Sequence, residues 1–148
     1  MLSRWDLRFL ELARFVGHWS KDRSRKVGCI IVGPHREIRA LGYNGFPRGA
    51  DDSPDDRHQR PIKYLWTEHA ERNAIYQAAR VGIAVQGCTM YLPWFPCMDC
   101  ARAVVQAGII QVVVSRERMA AYSSQYYDEH FSMVEVLFGE AGVVVRRV

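Results

Sequence analysis

No apolar run in the 148 residues approaches the ~20 that a membrane-spanning helix needs, so no transmembrane segment is expected. The chain also has no internal repeat, no low-complexity tract and no clustered basic stripe. Its 20 Lys and Arg against 16 Asp and Glu leave a net charge of +4, scattered along the sequence. Such a charge can attract a phosphate, but it does not build a nucleic-acid groove. Cysteine is scarce, at four residues, and no signal peptide is expected, because Met1-Leu2-Ser3-Arg4-Trp5-Asp6 opens directly into a charged amphipathic pattern. A cytoplasmic protein is therefore expected, in a compartment where structural disulfides are disfavoured. What remains is ordinary globular composition, 49% hydrophobic and 24% charged, and residues 1–148 are expected to form a single domain with one core.

Residues 3–19 place Trp5, Phe9, Leu10, Leu12, Ala13, Val16 and Trp19 at helical spacing and predict an amphipathic helix. The apolar run 27–32 and residues 38–43 predict two strands joined around Gly33-Pro34 as a hairpin. A long connection, 44–67, is rich in turn formers, as functional or disordered loops are. A helix is expected over 68–81 with Thr67 as its cap, then a strand over 89–92, a turn over 93–96, and a helix over 98–107 ended by Gly108. A β-branched strand over 109–114, a helix over 128–140 and a short strand at 143–145 complete the order α-β-β-α-β-α-β-α-β. That order predicts one mixed sheet with helices on both faces.

The chemistry is concentrated in two short motifs. His69-Ala70-Glu71 opens one predicted helix and Pro96-Cys97-Met98-Asp99-Cys100 opens the next. One imidazole and two thiolates are the three protein ligands of a catalytic zinc ion, with the fourth position left for water. A Cys-x-x-Cys pair at a helix start turns both sulfurs toward one point, and the positive helix end favours their deprotonated form. Glu71, two residues past His69, can approach water on the metal without being a ligand and can move its protons. Alone, Cys97-x-x-Cys100 is equally a redox pair, and His-x-Glu alone carries almost no information. Together they form the zinc deaminase signature. Cys29 and Cys88 lie in or beside apolar strands and read as small buried hydrophobes. His18, His35, His58 and His130 have no partner at ligand spacing.

Through these motifs the sequence resembles the cytidine and deoxycytidylate deaminase superfamily, most closely its deoxycytidylate (dCMP) deaminases. The resemblance extends over most of the chain: Ser20-Lys21-Asp22, Val27-Gly28, Gly42-Tyr43-Asn44-Gly45-Phe46-Pro47-Arg48-Gly49, His69 to Ile75, Gly87 to Tyr91, Phe95 to Ala101 and Gln106 to Ile109 follow the family's order. It implies an α/β fold, a three-layer α/β/α sandwich around a five-stranded mixed sheet, and commonly a homo-oligomer. It implies Zn2+ held by His69, Cys97 and Cys100, with Glu71 as proton shuttle in hydrolytic deamination of a free pyrimidine nucleotide, dCMP to dUMP and ammonia. Asn44 would hydrogen-bond the sugar or base, although asparagine before glycine is also a bare turn residue. Phe46 would wall the base, with loop packing its equal alternative. Backbone groups at Ala70 and Pro96 would orient the ring edge. Arg25, Lys26 and Arg48 are the candidates for the 5′-phosphate, each equally readable as a solvated charge. The family's Asp-Lys-Tyr-like stretch is replaced here by Ser115-Arg116-Glu117-Arg118-Met119. Competing expectations keep the chemistry on another nucleoside, modified cytosine nucleotide or purine base, or replace it with a non-catalytic zinc-binding module or a disulfide oxidoreductase.

Overall fold

A computed structural model describes residues 3–120 and 125–148. In chain order it contains α1 (Arg4–Gly17), β1 (Gly28–Val32), β2 (Ile38–Tyr43), a 3-10 turn (Asp55–His58), α2 (Lys63–Trp66), α3 (Ala70–Val81), β3 (Thr89–Leu92), α4 (Met98–Gln106), β4 (Gln111–Val114), α5 (Arg116–Ala120), α6 (Gln125–Ala141) and β5 (Val144–Arg147). The strands form a single mixed sheet in the order β2-β1-β3-β4-β5. β1 runs antiparallel to β2 and β3, whereas β3, β4 and β5 are parallel. The β1–β2 hairpin pairs Gly28 with Tyr43 and Ile31 with Ala40, and its register shifts between Ile31 and Val32.

Strand periodicity explains why both sheet faces are covered. Cys29, Ile31, Met90, Leu92, Val112 and Val114 point into one core, which also holds Ala74 and Ala78 of α3, Val104 of α4 and Val134 and Phe138 of α6. The alternate residues Ile30, Val32, Tyr91 and Val113 point into a second core with Phe9, Leu10, Ala13 and Val16 of α1. With both faces dry, the central strands read as continuous apolar runs rather than as alternating ones. The expected three-layer α/β/α sandwich is thus present, with α1 the one helix on its face among the described residues. Cys29 and Cys88 are free thiols in the interior, as small hydrophobes are. Among the described residues no helix is long and apolar enough to cross a membrane.

Two glycines permit close layer contacts. A Cβ on Gly28 would overlap the carbonyl oxygen of Ala13 and the backbone of Gly17, so α1 seats on β1 only without a side chain there. A Cβ on Gly42 would overlap Ala70 O and the backbone of Ala74, and its absence lets α3 lie directly on β2.

Several boundaries differ from expectation. α3 begins at Ala70, and Thr67 instead ends α2. The reason is that Glu68 is extended: it donates its N–H to Gly45 O at 2.8 Å and accepts from Gly45 N at 3.1 Å. The 44–67 connection carries a 3-10 turn and α2, and α5 is an element that the polar 115–120 stretch did not signal. Trp19, expected on the apolar face of the first helix, lies beyond α1 and is half exposed, edge-on to Phe15 and Tyr43. Tyr122, in the tyrosine-containing stretch before the last helix, lies outside the described residues.

Candidate metal centre

His69 and Cys97 are the N-cap residues of α3 and α4, extended at φ −77°, ψ 155° and φ −72°, ψ 170°. Neither side chain makes a capping hydrogen bond. Each backbone carbonyl instead accepts the first helical bond, from Asn73 N at 2.9 Å and Ala101 N at 2.8 Å. The imidazole and the thiol are thereby left to face each other across the two helix starts. His69 Nδ1 lies 3.4 Å from Cys97 Sγ and 3.5 Å from Cys100 Sγ. The three donor atoms all lie within 4.8 Å of one another, the spacing of ligands around one metal ion.

The electrostatics suit a cation. A hydrogen bond from Cys100 is the largest influence on Cys97, and with the His69 contact it lowers the Cys97 thiol to about 4. The same sulfur contact, reinforced by burial, pushes Cys100 up. The hydrogen bond to Cys97 raises His69. Cys97 is thus favoured as a thiolate while Cys100 and His69 hold their protons more tightly, and a divalent ion would compete for the donor atoms of all three. One imidazole with two thiolates is a donor set that zinc accepts with an open fourth position, so these residues fit the ion.

Glu71 is buried in the first turn of α3, and its carboxyl interacts with His69 and Cys97. Burial raises its proton affinity. Ala70, fully buried, joins it to His69, and Pro96, also buried, directly precedes Cys97.

The remaining expected contacts separate into two groups. Arg25 lies beside the cysteine loop, its guanidinium 4.4 Å over the ring of Trp94, three residues before Cys97. Lys26 is exposed in the same segment. Asn44 is buried, and both ends of its amide brace this segment: Oδ1 accepts from Val27 N and Nδ2 donates to Arg25 O, each at 2.8 Å. Phe46 and Arg48 lie in the loop that follows Asn44. Phe46 stacks on His58 with centroids 4.9 Å apart and meets Trp66 at 6.3 Å, which is loop packing. Both residues line two surface cavities of about 250 and 470 Å³ whose walls include none of His69, Cys97 and Cys100. The Gly45–Glu68 bridge pairs this loop with the residue before His69, and Phe46, next in the chain, packs on the 55–66 segment.

Three relationships escaped sequence reading. Arg72 pairs with Glu68 and reaches Asp99, which lies between the two cysteines. Only the first pair, at i,i+4, carries a local signal. Lys63 is buried against Asp22, and Arg25 meets Trp94; contacts 41 and 69 positions apart leave no trace in spacing.

Comparison with known proteins gives a consistent picture. Residues 3–116 match the model of the cytidine and deoxycytidylate deaminase zinc-binding region. The chain is 41% identical over 145 residues to an uncharacterized deaminase in the luxG 3′ region of Aliivibrio fischeri, covering 98% of this chain and 94% of that one. It is 36% identical to the deoxycytidylate deaminase of Mus musculus over 149 residues, covering 97% of this chain and 79% of that protein. The fold matches the crystal structure of the dCMP deaminase from cyanophage S-TIM5 in complex with dCMP and dUMP, with a TM-score of 0.78 at 24% identity over all of this chain and 99% of that one. The match of the family model across most of the chain, joined to relatives alike along nearly its whole length, makes this protein a member of the cytidine and deoxycytidylate deaminase family.

Proposed function

We propose that the protein is a zinc-dependent hydrolase that converts dCMP and water to dUMP and ammonia. The observation that carries this reading is the meeting of His69, Cys97 and Cys100 within 4.8 Å, with the buried carboxyl of Glu71 beside them. The choice of nucleotide is supported by the similarity to deoxycytidylate deaminases of mouse and human, at 36% and 35% identity.

His69, Cys97 and Cys100 would hold the zinc, which supplies Lewis-acid activation of water when bound. Glu71 performs the proton transfers. It takes a proton from the attacking water as the C4–oxygen bond forms and places it on ring N3, then takes the proton of the new C4 hydroxyl and delivers it to the exocyclic amine as the C4–nitrogen bond breaks, and so ends the cycle ionised as it began. Its burial favours the protonated state in which it donates. Backbone groups at Ala70 and Pro96, adjacent to the ligands in sequence, would hold the edge of the base. Arg25 is the phosphate contact best supported by position, with Lys26 beside it. Asn44, with both amide ends committed to the backbone of Arg25 and Val27, serves the substrate first by shaping this segment and secondly through its second N–H. Phe46 and Arg48 belong to the outer loop. The proposal includes a cytoplasmic homo-oligomer, supported by four free cysteines and by the exposed apolar side chains of Phe15, Trp19 and Leu65.

Purified zinc-loaded protein is expected to release ammonia from dCMP with equimolar dUMP, and far more slowly from deoxycytidine, cytosine and the purine monophosphates. Zinc-loaded protein that leaves dCMP intact while deaminating another member of this panel would overturn the choice of substrate. Inactivity toward all of them would overturn the enzyme reading.

A further inference from the structure

The segment that carries Arg25 is held from below by one buried cation. Lys63, in α2, is 7% exposed, and its three ammonium protons have three acceptors. These are Asp22 Oδ2 at 2.9 Å, Asp22 Oδ1 at 3.1 Å and Ser24 Oγ at 2.9 Å. Asp22 is equally committed, its Oδ1 also accepting the backbone N–H groups of Ser24 at 2.8 Å and Arg25 at 3.0 Å. On the far side Asn44 Nδ2 donates to Arg25 O at 2.8 Å. Both backbone polar groups of Arg25 are therefore fixed, and its guanidinium is set over Trp94 in the loop that leads to Cys97. Lys63 itself touches none of the three metal-ligating residues.

An apolar residue at position 63 would tie the outer loop to the body of the protein at less desolvation cost than a buried ion pair. What the pair adds is direction: it holds the Asp22 carboxylate in the one orientation that receives the N–H of Arg25. We propose that Lys63 is a positioning residue that acts through Asp22 to set where the Arg25 guanidinium stands, and thereby the preference of the site for a 5′-phosphorylated substrate over the uncharged nucleoside. The inference rests on the nucleotide substrate proposed above. Its physical basis is that a phosphate contact depends on a pre-placed guanidinium fork, and a fork that must first be ordered gives up affinity.

The test compares Lys63→Met, Lys63→Arg, Arg25→Ala and the Lys63→Met/Arg25→Ala double variant, all zinc-loaded. For Lys63→Met the KM for dCMP is expected to rise on the order of tenfold, the scale of one hydrogen bond to a charged group. Its kcat should change far less, and the ratio of kcat/KM for dCMP over deoxycytidine should fall. Lys63→Arg, which keeps the cation, should recover part of that ratio, and the double variant should lose little beyond Arg25→Ala. Equal losses on dCMP and deoxycytidine, or full additivity in the double variant, would overturn the proposal.

A second readout does not depend on the substrate. The Nε–Hε NMR signal of Arg25, assigned by its loss in Arg25→Lys, should carry a ring-current shift from Trp94 and lose it in Lys63→Met. An unmoved signal would refute the positioning role whatever the enzyme acts on, whereas a lost shift in a protein inactive on dCMP would refute only the substrate. If Lys63→Met does not fold, Ser24→Ala removes one of the three acceptors at an exposed position, and a smaller change of the same sign is expected in both readouts.

Discussion

Arg72 of α3 stands 3.6 Å from Asp99 of α4 and pairs on its other side with Glu68, the residue before His69. One guanidinium thus spans the residue that precedes the imidazole ligand and the residue between the two sulfur ligands. Asp99 is 62% exposed and also pairs with Arg102, so solvent screening holds the α3–α4 part of this contact below about 1 kcal/mol. Arg72→Met should therefore fold, with zinc lost to a chelator a few-fold faster than from wild type. The release rate, followed with a colorimetric zinc indicator, checks it; an unchanged rate would assign Arg72 to the surface alone.

The proton-transfer role proposed for Glu71 is separable from metal binding. Glu71→Gln keeps the shape and removes the titratable group, so kcat on dCMP should fall by about 10²–10⁴-fold, the usual contribution of a positioned general acid and base. Elemental analysis should still find one zinc per chain. Loss of zinc along with activity would place Glu71 in the metal's support instead.

Far from the site, Asp6 links three elements. Its carboxylate accepts from Tyr91 OH at 3.0 Å and Arg146 Nη2 at 2.7 Å, and with Ser3 it completes the capping box of α1. Burial alone would raise its pKa, but the Arg146 guanidinium and the Ser3 and Tyr91 hydrogen bonds together hold it below the ordinary aspartate value of 3.8. A depressed folded pKa means that this stabilisation is fully present above the unfolded value and is lost as pH falls through the folded one. At the other extreme, burial and then the Asp6 hydrogen bond push Tyr91 up to about 12, so the unfolded chain ionises first and stability falls as pH rises above about 10. Asp6→Asn should cost about 1–3 kcal/mol near neutrality. It should also flatten the loss of stability in acid, as read from urea midpoints between pH 6 and 3.

Gly42 gives a steric test of how the site is seated. Gly42→Ala drives a methyl group into Ala70 O and the Ala74 backbone, and backbone cannot swing aside as a side chain can. A loss of about 1–3 kcal/mol is expected, as for other overpacked interiors, measured by thermal or urea unfolding. Because the clash falls at the first residue after His69, zinc affinity should drop along with stability.

How much of this was legible in the sequence depended on the distance over which each feature is encoded. His69, Glu71, Cys97 and Cys100 were visible because the ligands are grouped in two short motifs, each opening a helix, and helix starts have a local signature. A mixed sheet with both faces covered followed from apolar runs of strand length, whereas the strand order β2-β1-β3-β4-β5 did not. The start of α3 was misplaced because Glu68 is held extended by Gly45, a partner 23 positions away. Thr67 has the chemistry of a cap, but the chain is not helical until Ala70. For Phe46 and Arg48 the motif pointed toward the substrate, and what spacing could not foresee is the stack of Phe46 on His58 and the cavity that both residues line.

The sequence by itself determined the candidate chemistry: which donors are of the kind that hold a metal, which carboxyl is spaced to serve them, and which segments become strands. Those properties belong to residue types at short spacing and survive without knowledge of the fold. Only the tertiary structure decided what holds the chemistry in place: Arg72 between Glu68 and Asp99, Lys63 beneath Asp22, Asn44 around the backbone of Arg25, and Arg25 over Trp94. These are contacts between charges and hydrogen-bonding groups far apart in the chain. Their strength depends on burial and on ångström-scale distance, and neither is defined until the layers have packed.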